Sequence, residues 1–335
     1  MRLGFLGVGW IGRHRLEAVA RSGVAEIVAI ADPSRTDAEA ARSVAPGAKL
    51  CATYEELLAE RLDGVAIATP SAMHAAQAVA ALERGLAVFC QKPLARSAAE
   101  AGLVVAAARD ADRLLGVDLS YRGLEGVRRM RERCNSGALG RIYAADLVFH
   151  NAYGPDKDWF YDRRRSGGGC VMDLGIHLVD LALWLLGDPR IERVDSRLFA
   201  GGEPLPSHPR AVEDYAIATL DLEGGAAVRL ACSWRLSAGR EAVIEAAVYG
   251  TEGGVLLRNL NGSFYDFAAE HCVGTGREIL AEPPDDWGGR PIVEWARRVS
   301  EGCRFDPAAE RFVTTAEVID AIYGRRTPAQ RLALA

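Results

Sequence analysis

Residues 86–94 read Leu-Ala-Val-Phe-Cys-Gln-Lys-Pro-Leu: an apolar run halts at Lys92 and a proline follows at once. Lysine occurs only at 49, 92 and 157, among 40 Lys and Arg residues. Arginine fills nearly every cationic position. An ammonium kept at the end of a strand therefore points to a proton that must move, which a guanidinium does not allow. Asp173 and His177 lie four apart in the apolar run 170–186, a spacing that puts both side chains on one face of a helix. An ammonium, a carboxylate and an imidazole suffice to orient an alcohol and take its proton as a hydride leaves the carbon. His177 is the first choice as general base, because an unperturbed imidazole titrates near neutrality. Asp173 orients the alcohol or its partners, and Asp180, one helical turn beyond His177, can contribute from behind.

A hydride needs an acceptor. Gly7-Val8-Gly9-Trp10-Ile11-Gly12 is a Gly-x-Gly-x-x-Gly between an apolar strand and a helix. Glycines there allow a tight turn and bring a pyrophosphate close to backbone amides at the positive helix end. Asp32 closes the second strand, 20 residues after Gly12. Its carboxylate suits both ribose hydroxyls and repels a 2′-phosphate, so NAD is expected over NADP. Arg35 is the group that would suit a 2′-phosphate and leaves NADP open. Thr69 and Pro70 end the next strand and are expected to line the nicotinamide half. His74 reads either as a helix-start residue or as a ligand contact. Gln91 and Lys92 complete the expected cofactor site. A lysine desolvated beside a cationic nicotinamide is pressed toward its neutral form and can hydrogen-bond the substrate oxygen.

Periodicity supplies the elements that must position these groups. Through residue 117, short apolar strands (3–6, 26–31, 49–52, 64–68, 86–90, 113–117) alternate with helices of about ten residues, the pattern of a doubly wound parallel sheet. Beyond residue 120 the pattern changes. A helix at 123–136 precedes a long strand at 141–151, an irregular arginine-rich loop at 153–169 and the apolar helix 170–186. Long strands follow at 191–200, 212–222, 226–234, 243–249 and 255–260, with Gly-rich turns between several of them, and predict an antiparallel sheet. Helices near 287–300 and 308–323 end the chain. The expected division is 1–120, a dinucleotide-binding domain, and 121–335, an α+β domain for substrate and oligomerisation whose final segment can pack back on the first.

The ordered set Gly-x-Gly-x-x-Gly, Ala31-Asp32-Pro33, Thr69-Pro70-x-x-x-His74, Lys92-Pro93 and Gly167-Gly168-Gly169-x-x-x-Asp173-x-Gly175-x-His177 resembles the Gfo/Idh/MocA oxidoreductases over nearly the whole chain. The segment 308–334 is similar to that family's closing helix and strand. The resemblance implies an N-terminal Rossmann domain and a C-terminal domain with a large, mainly antiparallel open sheet that commonly builds dimers or tetramers. It also implies NAD(P)-linked chemistry on a secondary alcohol of a sugar, inositol or related polyol. Some members instead hydrolyse glycosides by transient oxidation with tightly held NAD, and others only sense a nucleotide or sugar. One departure is plain. The family usually carries Glu-Lys-Pro, and this chain has Gln91-Lys92-Pro93. An amide in that place offers no counter-charge to the ammonium, which favours neutral Lys92.

Substrate recognition is expected from Tyr121-Arg122 after the last parallel strand, and from Asn151, Trp159 and Arg163. Trp234 and Arg235 are further candidates. Aromatic surfaces mixed with hydrogen-bonding groups are what a sugar site needs. A net charge of −5 gives no general attraction to nucleic acid or to an anionic membrane. The early apolar run is too short and too glycine-broken for a signal peptide, and no membrane span is expected. The seven cysteines are scattered, without Cys-x-x-Cys or zinc-type spacing, and read as reduced thiols of a cytoplasmic protein with no metal site.

Overall fold

A computed structural model of the chain describes residues 1–206 and 211–325. They form two compact units, Met1–Ser120 with Gly288–Val313, and Tyr121–Trp287 with the chain from Thr314 onward.

In the first unit, strands β1 (Arg2–Leu6), β2 (Glu26–Ala31), β3 (Lys49–Cys51), β4 (Gly64–Ile67), β5 (Ala87–Cys90) and β6 (Leu115–Val117) alternate with five helices: α1 (Trp10–Ser22), α2 (Arg35–Val44), α3 (Tyr54–Leu58), α4 (Ser71–Glu83) and α5 (Ala98–Asp110). All pairs are parallel, in the order β3-β2-β1-β4-β5-β6. The order reverses between β1 and β4, which opens a crevice at the carboxyl ends of the strands. Near-continuous apolar strands suit a sheet covered on both faces, and Leu3, Ile30, Val65 and Val88 are wholly buried.

Helix starts differ in a way that matters for function. Ser34, Thr53 and Ser97 cap α2, α3 and α5 by accepting from the N–H groups of Asp37, Glu56 and Glu100. Glu56 and Glu100 reach back past the caps to the N–H groups of Ala52 and Arg96 and brace both helix starts. Helix α1 has glycine at its cap, no side-chain cap bond and no acid in its first turn. Its positive end is left for something other than the protein's own side chains.

In the second unit, α6 (Glu125–Asn135), β7 (Ile142–Asn151), α7 (Arg163–Ser166) and α8 (Ile176–Leu185) precede a run of strands. These are β8 (Ile191–Ala200), β9 (Glu203–Pro204), β10 (Tyr215–Leu222), β11 (Ala227–Ser233), β12 (Ala242–Gly250), β13 (Gly254–Asn259), β14 (Phe267–Val273) and β15 (Gly276–Ala281). The nine-stranded sheet runs β15-β14-β13-β12-β7-β11-β10-β8-β9. Helices α6 and α8 pack on it. Along β10, Ala216, Ala218, Leu220 and Leu222 are buried, while Ile217, Thr219 and Asp221 face outward.

Hairpin succession is broken where β7 enters the sheet. β7 sits between β12 and β11 and pairs parallel with β11, from Ala144 opposite Ala227 to His150 opposite Ser233. A parallel neighbour requires a long crossover, and the residues between β7 and β11 supply it. The hairpin β14–β15 adds to the expected strands, and Gly274-Thr275 between two strand-like runs is its turn signal. Part of the loop expected at 153–169 is helical, with a 3₁₀ turn at Asp158–Tyr161 and then α7. The helix expected from 170 begins with a π-helical turn, Val171–Gly175. The helical stretch 163–185 is long and apolar enough to cross a membrane, but 89% of its most apolar window is buried within the protein. That is the signature of a core helix.

After β15, α9 (Arg290–Ser300) returns to the first unit, where the Trp295 ring packs 5.6 Å from Phe89. Gly64 and Gly116 make room for it: a Cβ on either would come within 3 Å of the indole. Helix α10 (Glu310–Ile322) follows. The strand expected in the last part of 308–334 lies outside the described residues.

Candidate active site

The glycine loop connects β1 to α1. Gly7 has φ +81°, and a Cβ there would stand 2.6 Å from the Ala68 carbonyl oxygen. A Cβ on Gly12 would stand 2.1 Å from the Gly7 carbonyl oxygen. Both positions exclude any side chain, and the turn presents backbone N–H groups to an anion instead. Asp32 is built into the same loop. One carboxylate oxygen accepts from the Val8 N–H and the other from the Ser34 N–H, each at 2.7 Å. Each oxygen keeps capacity for a ribose hydroxyl. Gly9 caps α1, Ile11 is half-buried, and Trp10 stands 62% exposed over the His14 ring. Arg35 points into solvent, 92% exposed, with Glu39 at 4.0 Å. Uncapped helix end, mandatory glycines and carboxylate together fit a dinucleotide.

At the carboxyl ends of β4 and β5, Thr69 donates through Oγ1 to Gln77 at 2.5 Å, and Pro70 caps α4. His74 lies within the protein, 1% exposed. Its Nδ1 faces the Pro93 carbonyl oxygen and its Nε2 the Thr69 carbonyl oxygen, each at 2.6 Å. Burial pulls its pKa down, and the two carbonyls oppose that pull. Neither ring nitrogen is left for a ligand, so the reading of His74 as a cofactor contact gives way to a strap joining the ends of two strands. Lys92 is half-buried and precedes a cis bond to Pro93. Gln91 accepts from the Lys92 N–H and donates to Asp118.

In the second unit, the glycine run 167–169 is explained by two residues far along the chain. A Cβ on Gly169 would stand 1.9 Å from the Glu213 carbonyl oxygen, and one on Gly168 1.9 Å from the Tyr323 hydroxyl. The Glu213 carboxylate accepts from the N–H groups of Gly169 (2.9 Å) and Val171 (3.0 Å) and from the Tyr323 hydroxyl (2.7 Å). Burial raises its pKa, and those three donors act against the rise. The clamp fixes the start of the π-helical turn that carries Asp173. The Asp173 carboxylate accepts from the Trp234 indole N–H at 3.0 Å. His177, at the start of α8, is buried against the Tyr121 ring at 4.9 Å and near Phe149. Tyr121 in turn packs on Phe149, Phe267 and Trp287. Glu213 and Tyr323 escape the sequence reading, because only the glycine run hints that something approaches closely there.

The remaining expected substrate residues separate. Arg122 is engaged from within: its Nε donates to Asp180 at 2.8 Å, its Nη2 makes a second bond, and its guanidinium lies over Trp184. Asp180 is buried, so this is a framework ion pair in place of the expected substrate contact, and Asp180 supports α8 by it. Arg163 lies over the Tyr323 ring at 5.8 Å. Asn151 ends β7 with its side-chain oxygen buried and without a hydrogen-bond partner among the described residues. Trp159 stacks on Phe160 at 3.9 Å, and Phe160 and Tyr161 pack edge-on against Trp234. Arg235, at φ +60°, donates to the Tyr161 hydroxyl at 3.3 Å. These aromatics and Asp173 form one connected patch. Among the described residues no group of His, Cys, Asp and Glu could hold a metal ion.

Comparison with known proteins agrees with this architecture. Residues 1–119 match the oxidoreductase-family model for an NAD-binding Rossmann fold, and residues 127–256 match the GFO/IDH/MocA C-terminal domain model. The chain is 30% identical over 293 residues to D-apiose dehydrogenase of Paraburkholderia graminis, covering 85% of this chain and 74% of that one. It is 29% identical over 262 residues to 1,5-anhydro-D-fructose reductase of Ensifer adhaerens, covering 77% and 76%. The structure of a levoglucosan dehydrogenase with NADH and levoglucosan superposes with a TM-score of 0.82 at 22% identity, covering 97% of this chain and 96% of that one, which is a likeness of fold.

Proposed function

The chain belongs to the Gfo/Idh/MocA family and is an NAD-binding oxidoreductase of the sugar and polyol dehydrogenase class, and from that premise we propose that Lys92, Asp173 and His177 carry its chemistry. Bound NAD supplies the hydride acceptor. His177 takes the hydroxyl proton of the substrate, held in an aromatic setting that fixes its ring. Asp173, braced by the Trp234 N–H, orients the hydroxyl. Lys92 donates to the reacting oxygen and steadies the charge that develops on it. The observation that supports this reading is the clamp of Glu213 and Tyr323 on the glycine run, which braces the start of the turn bearing Asp173.

The substrate class follows from the patch beside Asp173. Trp159, Phe160 and Tyr161, backed by the buried Trp234, offer flat apolar faces for the C–H surface of a sugar ring. Relatives are named for D-apiose and for 1,5-anhydro-D-fructose, and those names support a sugar substrate here. Asp32 favours NAD over NADP. The seven free cysteines fit the cytoplasm, and the open sheet of the second unit fits a homodimer or homotetramer.

A panel of aldoses, anhydro sugars, glycosides and inositols, each offered with NAD and with NADP and read by nicotinamide absorbance, tests the reading. Net NADH formation on at least one ring sugar is expected, with higher kcat/KM for NAD. Turnover without net NADH would favour the hydrolytic alternative. A clear NADP preference would overturn the role of Asp32.

A further inference from the structure

We infer that a buried chain of Arg15, Asp118 and Gln91 positions Lys92, and that Asp118 is the reason position 91 carries an amide. This rests on the role of Lys92 proposed above.

The Asp118 side chain is wholly buried. One of its oxygens, Oδ2, accepts from Arg15 Nε at 2.7 Å and from Gln91 Nε2 at 2.7 Å. The other, Oδ1, has no hydrogen-bond partner among the described residues. At its far end, Gln91 Oε1 accepts from the Lys92 N–H at 2.9 Å. Position 91 thus needs a donor toward a carboxylate and an acceptor toward a backbone N–H. An amide offers both at once with no proton to gain or lose, and its two partners fix which way it points. A glutamate could serve the N–H, but it would meet Asp118 as a second carboxylate.

The surroundings make that meeting costly. Arg15 balances one buried negative charge, leaving the trio neutral. Charged and titratable groups facing it are Arg15 and His14 from α1, with His14 Nδ1 at 2.7 Å from Arg15 Nη1, and Cys90 and Lys92 on either side of position 91. Backbone bonds hold the strand ends in place: Asp118 N–H donates to the Cys90 carbonyl at 2.9 Å and Gln91 N–H to the Ile67 carbonyl at 2.8 Å. Gly12, Arg15, Ala68 and Gln91 also line one small cavity. Helix α1 therefore presents its first turn to the dinucleotide and, one turn on, anchors the lysine loop through Arg15. The carboxylate that the family motif places next to its lysine stands here one hydrogen bond away.

The test is a double-mutant cycle. Gln91→Glu adds a negative charge and Asp118→Asn removes one, so each alone unbalances the trio. Together they restore neutrality. One oxygen at position 118 meets both partners in the parent, so the new asparagine has to turn to give its carbonyl to Arg15 and its amide to the new glutamate. Gln91→Glu alone should lower kcat on the best substrate of the panel by about 100-fold. The pair should recover to within about tenfold of the parent. In Gln91→Glu the adjoining carboxylates share a raised pKa in the folded state. Stability is then retained at low pH and lost as pH rises, so its Tm deficit should widen from about pH 5 to pH 8. The pair should show no such widening. A pair no more active than Gln91→Glu, or a deficit independent of pH, overturns the inference. The melting series needs no turnover. It therefore judges the trio separately if Lys92→Ala proves fully active or the panel gives no substrate.

Discussion

Replacing Lys92 with alanine should lower kcat by about three orders of magnitude while NAD still binds with nearly parental affinity. In the proposed site the glycine loop, the α1 end and Asp32 hold the dinucleotide, and the lysine side chain acts on the substrate oxygen. The backbone around position 92 is also fixed without that side chain, by Gln91 on one side and by the His74 contact to the Pro93 carbonyl on the other. Truncation should therefore remove the amine and leave the backbone path in place. Steady-state rates with the best substrate, set beside calorimetric titration with NAD, separate the two outcomes. The companion change His177→Ala should lose a comparable factor and flatten the acidic limb of the pH–rate profile. Near-parental turnover in His177→Ala would transfer the base role to another group, and weakened NAD binding in Lys92→Ala would mean that the lysine serves the cofactor instead.

Gly169→Ala should destabilise the protein by about 3 kcal/mol or more, with a matching fall in Tm. The new methyl would sit 1.9 Å from the Glu213 carbonyl oxygen, a backbone atom. It cannot rotate away as a side chain would. Relief requires the turn to move off Glu213, which leaves the buried carboxylate short of the N–H groups of Gly169 and Val171. The same movement displaces Asp173, so activity should fall further than stability alone explains. Gly102→Ala is the internal control. It is the same chemical change inside α5, with nothing within 4 Å of the added carbon. Lower helix-backbone entropy loss should make it stabilising by about 0.5–1 kcal/mol. Urea unfolding of both variants decides the matter: equal and small effects would show that the clamp does not hold the turn.

Much of this site is legible in the sequence because its signals are local. A Gly-x-Gly-x-x-Gly between strand and helix, an aspartate at the end of the next strand and a lysine at the end of the fifth are short patterns. Their chemistry depends on residues a few positions apart. The first unit is equally open, since continuous apolar strands alternating with helices leave few topologies other than a parallel sheet. Signals fail where an outcome depends on partners distant in sequence. His74 follows Thr-Pro as a ligand-contacting histidine would, yet burial between two carbonyls makes it a strap. Arg122 stands where a substrate contact is expected, yet Asp180 takes it. The parallel pairing of β7 with β11 is invisible in either strand, because a strand pattern records which face is buried and not which neighbour it meets.

The sequence by itself determined the nucleotide fold and singled out Asp32 and the three groups proposed to carry the chemistry, because period, glycine conformation and residue chemistry act over one or two turns of chain. Tertiary structure alone decided why those groups stand where they do. Glu213 and Tyr323 hold the glycine run, and Asp118 with Arg15 favours an amide at position 91. Each is a buried polar group whose cost is offset only by partners brought together in three dimensions, and no spacing along the chain announces which donor will meet which acceptor.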